Sequence, residues 1–199
     1  MTSTTPSASS SNPATKEEIV SSESEPLILV DASDAEVGFL DKAAAHDGDG
    51  VLHRAFSLFI FNPEGTLLLQ QRAPDKRLWP EFWSNSCCSH PRRGERMDEA
   101  VHRRLEQELG MSAELHFAYK FEYRAPFGEL GTEHELCWVY TGQTDVQPII
   151  NTTEIMDWRW IDPADLTSAI AAEPACYTPW LKMEWERLNA EFADRLPQP

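Results

Sequence analysis

Residues Ser84–Gly110, SNSCCSHPRRGERMDEAVHRRLEQELG, decide how this chain folds and what chemistry it can carry. Val101, Leu105 and Leu109 recur at four-residue spacing and Gly110 follows them, which predicts a helix from about Met97 to Leu109 with an apolar stripe and a glycine C-cap. Arg104 and Glu108, also four apart, share the neighbouring face, which Glu95 and Glu106 do not. Just ahead of the helix, Cys88 stands two residues before His90 at a turn. A packed helix that presents a cation and a carboxylate beside a thiol suggests phosphate chemistry next to a reactive sulfur.

Outward from this stretch the periodicity is that of a mixed α/β protein. Leu52–Phe61 is a strongly apolar strand, Asn62–Gly65 a turn, and Thr66–Gln71 a returning strand, so a hairpin is expected. Further strands are expected at Leu27–Asp31, Ala113–Tyr123, Glu133–Tyr140 and Ile155–Trp160, and a last helix at Pro179–Arg195. Strands interrupted by helices in this order predict an α/β (α+β) fold, a mixed β-sheet sandwiched between α-helices. Residues 1–26 are dominated by Ser, Thr, Pro and Glu and read as a disordered tail, leaving 27–199 as a single domain.

Composition narrows the function classes. With 33 Asp and Glu against 17 Lys and Arg, the net charge of −16 disfavours nucleic acid and anionic membranes as partners. Lysine is scarce, and an acidic, lysine-poor surface is expected of a protein adapted to high salt. The cysteines, Cys87, Cys88, Cys137 and Cys176, have no disulfide-framework spacing, which fits a reducing cytoplasm. No apolar run is long enough to span a membrane and no hydrophobic signal region opens the chain, so a soluble cytoplasmic protein is expected.

Several residues invite chemistry. Glu133 and Glu135 alternate around His134 in a strand-like run and point to one face, where paired carboxylates are costly unless a cation joins them. His46 and His53 bracket an Asp/Gly loop. With His90 they would make a mixed N/O site suited to Mn²⁺ or Mg²⁺ more than Zn²⁺, although each histidine taken alone is more often structural. In so acidic a chain the run RAPDKR, Arg72–Arg77, is locally unusual; Arg72, Lys76 and Arg104 are candidate anion binders that would converge with a Glu-held Mg²⁺ on a diphosphate. Trp180, next to Pro179 at the start of the last helix, is placed to cap a pocket, and Tyr123 is either a core ring or a proton donor.

The helix segment resembles a degenerate Nudix box, G-x5-E-x7-R-E-U-x-E-E-x-G-U with U aliphatic. Gly110, Glu108, Arg103 and Glu95 match it, while Ser89, Arg104 and Gln107 replace its opening glycine and two of its glutamates. A carboxylate cluster so depleted argues against hydrolysis. The stretches AAHDGDGVLHRAF, SNSCCSHP, YRAP, EHELC and TPW are similar, in order and approximate spacing, to the type I isopentenyl-diphosphate isomerases of that superfamily.

The resemblance covers about 27–190, with a Nudix core at about 51–187, and implies isomerisation of isopentenyl diphosphate to dimethylallyl diphosphate for isoprenoid biosynthesis. By matching position it implies catalytic Cys88, Glu135 and Tyr123, and a Mn²⁺ or Mg²⁺ site of His46, His53, His90, Glu133 and Glu135. It further implies a diphosphate-associated Mg²⁺ on Glu108 and the Cys88 backbone carbonyl, with substrate contacts from Arg72, Lys76, Ser89, Arg104 and Trp180. The expected partner is a small-molecule diphosphate, and the expected assembly a monomer, with a dimer as the alternative. The rival readings are a Nudix hydrolase of a nucleoside diphosphate derivative and a non-catalytic Nudix-fold binding module; the latter would leave Cys88, Glu133 and Glu135 without a role.

Overall fold

The run HRAFSLFIF is apolar on both sides of its alternation, the pattern of a strand covered on both faces. In the computed structural model, which describes residues 15–193 and Leu196, it is the central strand of a mixed sheet. The first half of the chain forms β1 (Thr15–Lys16), β2 (Pro26–Val30), β3 (Glu36–Asp41), α1 (Lys42–Ala45), β4 (His53–Phe61), β5 (Leu67–Arg72), β6 (Trp83–Ser84) and β7 (Cys87–Ser89). The second half forms α2 (Met97–Leu109), β8 (Glu114–Pro126), β9 (Thr132–Gln143), β10 (Ile150–Asn151), β11 (Ile155–Ile161), α3 (Pro163–Ala172) and α4 (Pro179–Glu191).

Alternation along β4 builds both layers. Phe56, Leu58 and Ile60, with Leu68 of β5, pack against Ala100, Val101, Leu105 and Leu109 of α2. Phe59 and Phe61, with Leu67 and Leu69, pack against Leu166 of α3 and Leu181, Trp185 and Leu188 of α4. These side chains are almost fully buried, so truncating any one leucine to alanine costs about 2–5 kcal/mol. Gly110 ends α2 in the left-handed conformation its position requires.

Two expectations change. The hairpin is real only at its turn, because β4 and β5 pair at Phe61↔Leu67 alone. Beyond that point β5 diverges to β6 and β11, and β7 takes the vacated edge of β4 with Ser57 opposite Cys88. Side chains bridge the wedge: Asn85 Nδ2 donates to Leu58 O (3.1 Å), and Ser86 Oγ accepts from Ile60 N (2.8 Å) and donates to Leu68 O (2.7 Å), replacing ladder bonds the divergence removes.

The second change concerns the N-terminus. Residues 15–26, assigned to the tail by composition, belong to the fold: β1 pairs in parallel with β10, and Val20 is buried. Their backbone is held from elsewhere, for Asn151 Nδ2 donates to Glu18 O (2.7 Å) and Arg104 Nη1 to Val20 O (2.6 Å). Residues 1–14 of the expected tail, and Arg195 at the expected end of the last helix, lie outside the described residues. Among the described residues no helix is long and apolar enough to cross a membrane.

Candidate active site

Strand β9 runs parallel to β4 with Glu135 opposite His53, and its alternation sends Glu133 and Glu135 to one side while His134 turns away to Glu122. His46 Nδ1 lies 2.7 Å from Lys42 O and His53 Nδ1 2.8 Å from Val51 O. A carbonyl oxygen can only accept, so each Nδ1 carries the hydrogen and each Nε2 offers a lone pair. Those lone pairs converge: His53 Nε2 is 3.2 Å from His90 Nε2, which is 3.1 Å from Glu135 Oε1, and His46 Nε2 is 2.7 Å from Glu133 Oε2. One ligand atom from each of His46, His53, His90 and Glu135 lies within 4.8 Å of the others.

His46 Nε2 and Glu133 Oε2 are buried against each other and reach no other hydrogen-bond partner among the described residues. Burial opposes charge on His46, yet Glu133 outweighs it and raises the imidazole pKa. Burial alone would raise Glu135 too, but the His53 and His90 imidazoles beside its carboxylate hold it well below the usual carboxylate range. Three imidazoles and the Glu135 carboxylate share one focus with Glu133 against His46, a set that a single proton does not satisfy and that suits a divalent cation bound by nitrogen and oxygen. The residues therefore fit a metal. Gly131 serves this geometry, because a Cβ there would overlap the backbone oxygen of His46.

Beside this focus, Tyr123 of β8 donates its hydroxyl to Glu135 Oε2 at 2.6 Å, and burial with the neighbouring carboxylate pushes the phenol pKa well up. Cys88 donates to Asn85 Oδ1 (2.8 Å); burial, then Glu184, push its thiol well up, so at neutral pH the sulfur holds its proton. Trp180 is buried, pinned by its indole NH to Ser84 Oγ (2.9 Å) and crossed edge-on by Trp79 at 5.2 Å. Trp79 and Glu81 hold left-handed backbone (φ 46° and 65°), a costly conformation for a bulky residue that returns the carbonyls of Leu78 and Trp79 to the Arg72 guanidinium, 3.0 Å each.

The opposite end is cationic. Arg104 donates through Nε to Glu108 Oε1 (2.9 Å) and lies 3.3 Å from Glu154 Oε2, which also pairs with Lys76. Arg72 extends over the Trp180 ring at 5.2 Å. One pocket is lined by Arg72, Lys76, Cys88, Ser89, Arg104, Glu108, Tyr123 and Trp180 together with His46, His90, Glu133 and Glu135. His53, completely buried, sits beneath it. Every candidate from the sequence is thus brought together. Sequence reasoning missed Glu154, Lys42, Ser21 and Glu23, which also line the pocket. Glu154 stands alone in a turn with no periodic or motif signal, whereas Lys42, four residues before His46, was open to the helical-spacing argument.

Comparison with known proteins matches this geometry. Residues 51–181 match the NUDIX domain family, the class of protein that the sheet, the Glu95–Arg103–Glu108 helix and the pocket define. The chain is 42% identical over 174 residues to isopentenyl-diphosphate Delta-isomerase 1 of Photorhabdus laumondii, covering 86% of this chain and 99% of that one. It is likewise 42% identical to the isopentenyl-diphosphate Delta-isomerase of Nocardia farcinica, covering 85% and 97%. A Deinococcus radiodurans protein of known crystal structure superposes with a TM-score of 0.66 at 27% identity, covering 82% of this chain and 98% of that one. The chain belongs to the isopentenyl-diphosphate Delta-isomerase family of NUDIX-domain proteins.

Proposed function

We propose that this chain isomerises isopentenyl diphosphate to dimethylallyl diphosphate, the activity in the names of its relatives. The observation that carries the reading is a single pocket with two proton-handling groups, Cys88 and Glu135, at one end and fixed cations at the other. Moving the double bond adds one proton to the terminal alkene carbon, giving a tertiary carbocation, and removes one from C2. Two groups must therefore reach the same short hydrocarbon, and they exchange roles between the forward and reverse directions.

Cys88 starts as a protonated thiol and Glu135 as an ionised carboxylate hydrogen-bonded to Tyr123, which supports one donor and one acceptor per turnover. Trp180 would face the hydrocarbon, its ring offsetting positive charge while the surrounding aromatic wall keeps out the water that would trap the cation as an alcohol. Arg72, Lys76, Ser89 and Arg104 would hold the diphosphate away from the cation.

His46, His53, His90, Glu133 and Glu135 would hold Mn²⁺ or Mg²⁺, and Glu108 with the Cys88 carbonyl a second Mg²⁺ that accompanies the diphosphate. A divalent cation so placed supplies electrostatic stabilisation of ionised Glu135. The Arg104–Glu108 pair also speaks against the hydrolase reading, because a guanidinium occupies the position of a box glutamate. The test is incubation with isopentenyl diphosphate and Mg²⁺ or Mn²⁺. An acid-labile allylic diphosphate is the expected product; phosphate release without allylic product would replace isomerase by hydrolase.

A further inference from the structure

Glu184 is a carboxyl group that the isomerisation leaves unexplained. It lies on α4, is completely buried, and no lysine, arginine or histidine pairs with it among the described residues. Its Oε2 has no hydrogen-bond partner, while its Oε1 is 3.4 Å from Cys137 Sγ. Cys137 Sγ is in turn 3.4 Å from Ser57 Oγ, Ser57 Oγ is 3.4 Å from Cys88 Sγ, and Cys88 Sγ is 2.8 Å from Asn85 Oδ1. Sulfur bonds are long, and these separations are ordinary for them.

Counting hydrogens gives the line a direction. Asn85 Oδ1 can only accept, so the Cys88 thiol points to it. Cys137 has a single hydrogen and two oxygen neighbours, Ser57 and Glu184. If Glu184 is protonated, its hydroxyl donates to Cys137, Cys137 to Ser57, and Ser57 to Cys88, and Cys137, Ser57 and Cys88 each both accept and donate. If Glu184 is ionised, Cys137 and Ser57, which both face its carboxylate, turn their hydrogens to it, and Ser57 no longer donates to the Cys88 sulfur.

We propose that Glu184 is a positioning residue that keeps its proton and, through Cys137, turns the Ser57 hydroxyl toward Cys88 Sγ, stabilising that sulfur whenever its own proton is on the substrate. The proposal rests on Cys88 being a proton-handling group. Burial, opposed only by Ser57 and Cys137, pushes the Glu184 carboxyl up to about 8, so it is mainly protonated at pH 7. The other groups facing it do not supply a positive charge: Glu135 from β9 adds to the upward push, Cys88 from β7 is a neutral thiol, and Tyr119 from β8 donates to the Glu184 backbone carbonyl (3.1 Å), leaving Arg187 over the Tyr119 ring.

The test compares pH profiles of kcat and KM for the metal-loaded enzyme and three variants. Glu184→Gln keeps a neutral donor and should retain kcat within about twofold at pH 7 while losing the decline that wild type shows as pH rises through about 8. Glu184→Leu removes the donor and should lower kcat about 10-fold, the size of a lost hydrogen bond to a charged group, with KM and metal content unchanged. Cys137→Ala breaks the line without touching Glu184 and should lower kcat to the same degree, and the Cys137→Ala/Glu184→Leu double variant should be no worse than either. Identical alkaline limbs in wild type and Glu184→Gln, or additive losses in the double variant, would overturn the proposal. Turnover by Cys88→Ala would instead overturn the assignment beneath it.

Discussion

At the strand-built end of the pocket, ring nitrogens of His46, His53 and His90 and the carboxylates of Glu133 and Glu135 face one another, and among the described residues no lysine or arginine pairs with them. At the other end the charges are matched in advance, for Arg104 is tied to Glu108 and Glu154, and Lys76 to Glu154. The first arrangement is one that a divalent cation would complete; the second is paired within the protein itself. Buried cations left unpaired would be too costly to fold, so the pocket carries enough carboxylate to hold them, and on the proposed reading the diphosphate would bring its own countercharge with a metal ion. The difference separates a chemical end, where proton positions matter, from a gripping end, where charge balance matters.

Loss of the thiol should divide the two ends most sharply. Cys88→Ala is expected to lower kcat by about 10²–10⁴-fold, the range for removing a general acid or base, with metal content and substrate affinity near wild type by elemental analysis and calorimetry. Simultaneous loss of metal would show that the sulfur and the metal focus are not separable. Lys76→Met addresses the gripping end, where KM should rise about 10-fold, as for one lost charge-assisted contact, and kcat should change less. An equal fall in kcat with KM unchanged would place Lys76 at the chemical end instead.

Gly131→Ala works through the backbone alone. A Cβ pressed on the His46 carbonyl should displace that imidazole and weaken metal affinity about 10-fold, as disturbing the supports of a ligating histidine does, measured by competition with a chelator. Unaltered affinity would mean that His46 is positioned by Lys42 O without help from the Gly131 turn.

A further expected effect is on stability. Glu184 in the folded protein titrates near 8 against about 4.5 when unfolded, so its contribution is fully present below the unfolded value and is lost as pH rises toward the folded one. Glu184→Gln does not titrate, and the Tm of this variant relative to wild type should therefore increase between pH 5 and pH 8. A difference independent of pH would show that the carboxyl ionises freely in the folded state.

Much of this site was legible because its parts sit in short, regular runs. The Glu133–Glu135 alternation, the Cys88–His90 spacing and the Arg104–Glu108 interval each follow from the period of one element. The hairpin was misjudged because a turn sequence states only that the chain reverses; it does not state how far the strands stay paired, and β7 takes the edge that β5 leaves. The tail boundary was misjudged for a similar reason, since Thr15–Val20 is polar by composition and gains order only from β10, Asn151 and Arg104, more than 80 residues away.

The amino-acid sequence by itself determined the two-sided central strand, the amphipathic helix after Cys88, which histidines, carboxylates and thiol are candidates for the chemistry, and the acidic balance that leaves RAPDKR conspicuous. Local period and residue chemistry are carried by neighbours along the chain, so they can be read there. Tertiary structure alone decided that Glu154 joins Lys76 to Arg104, that Val20 shelters the same guanidinium, and that Glu184 ends a line of hydrogens leading through β9 and β4 to Cys88. These are contacts between distant segments, and only packing the sheet against α2 on one side and α4 on the other brings them within reach.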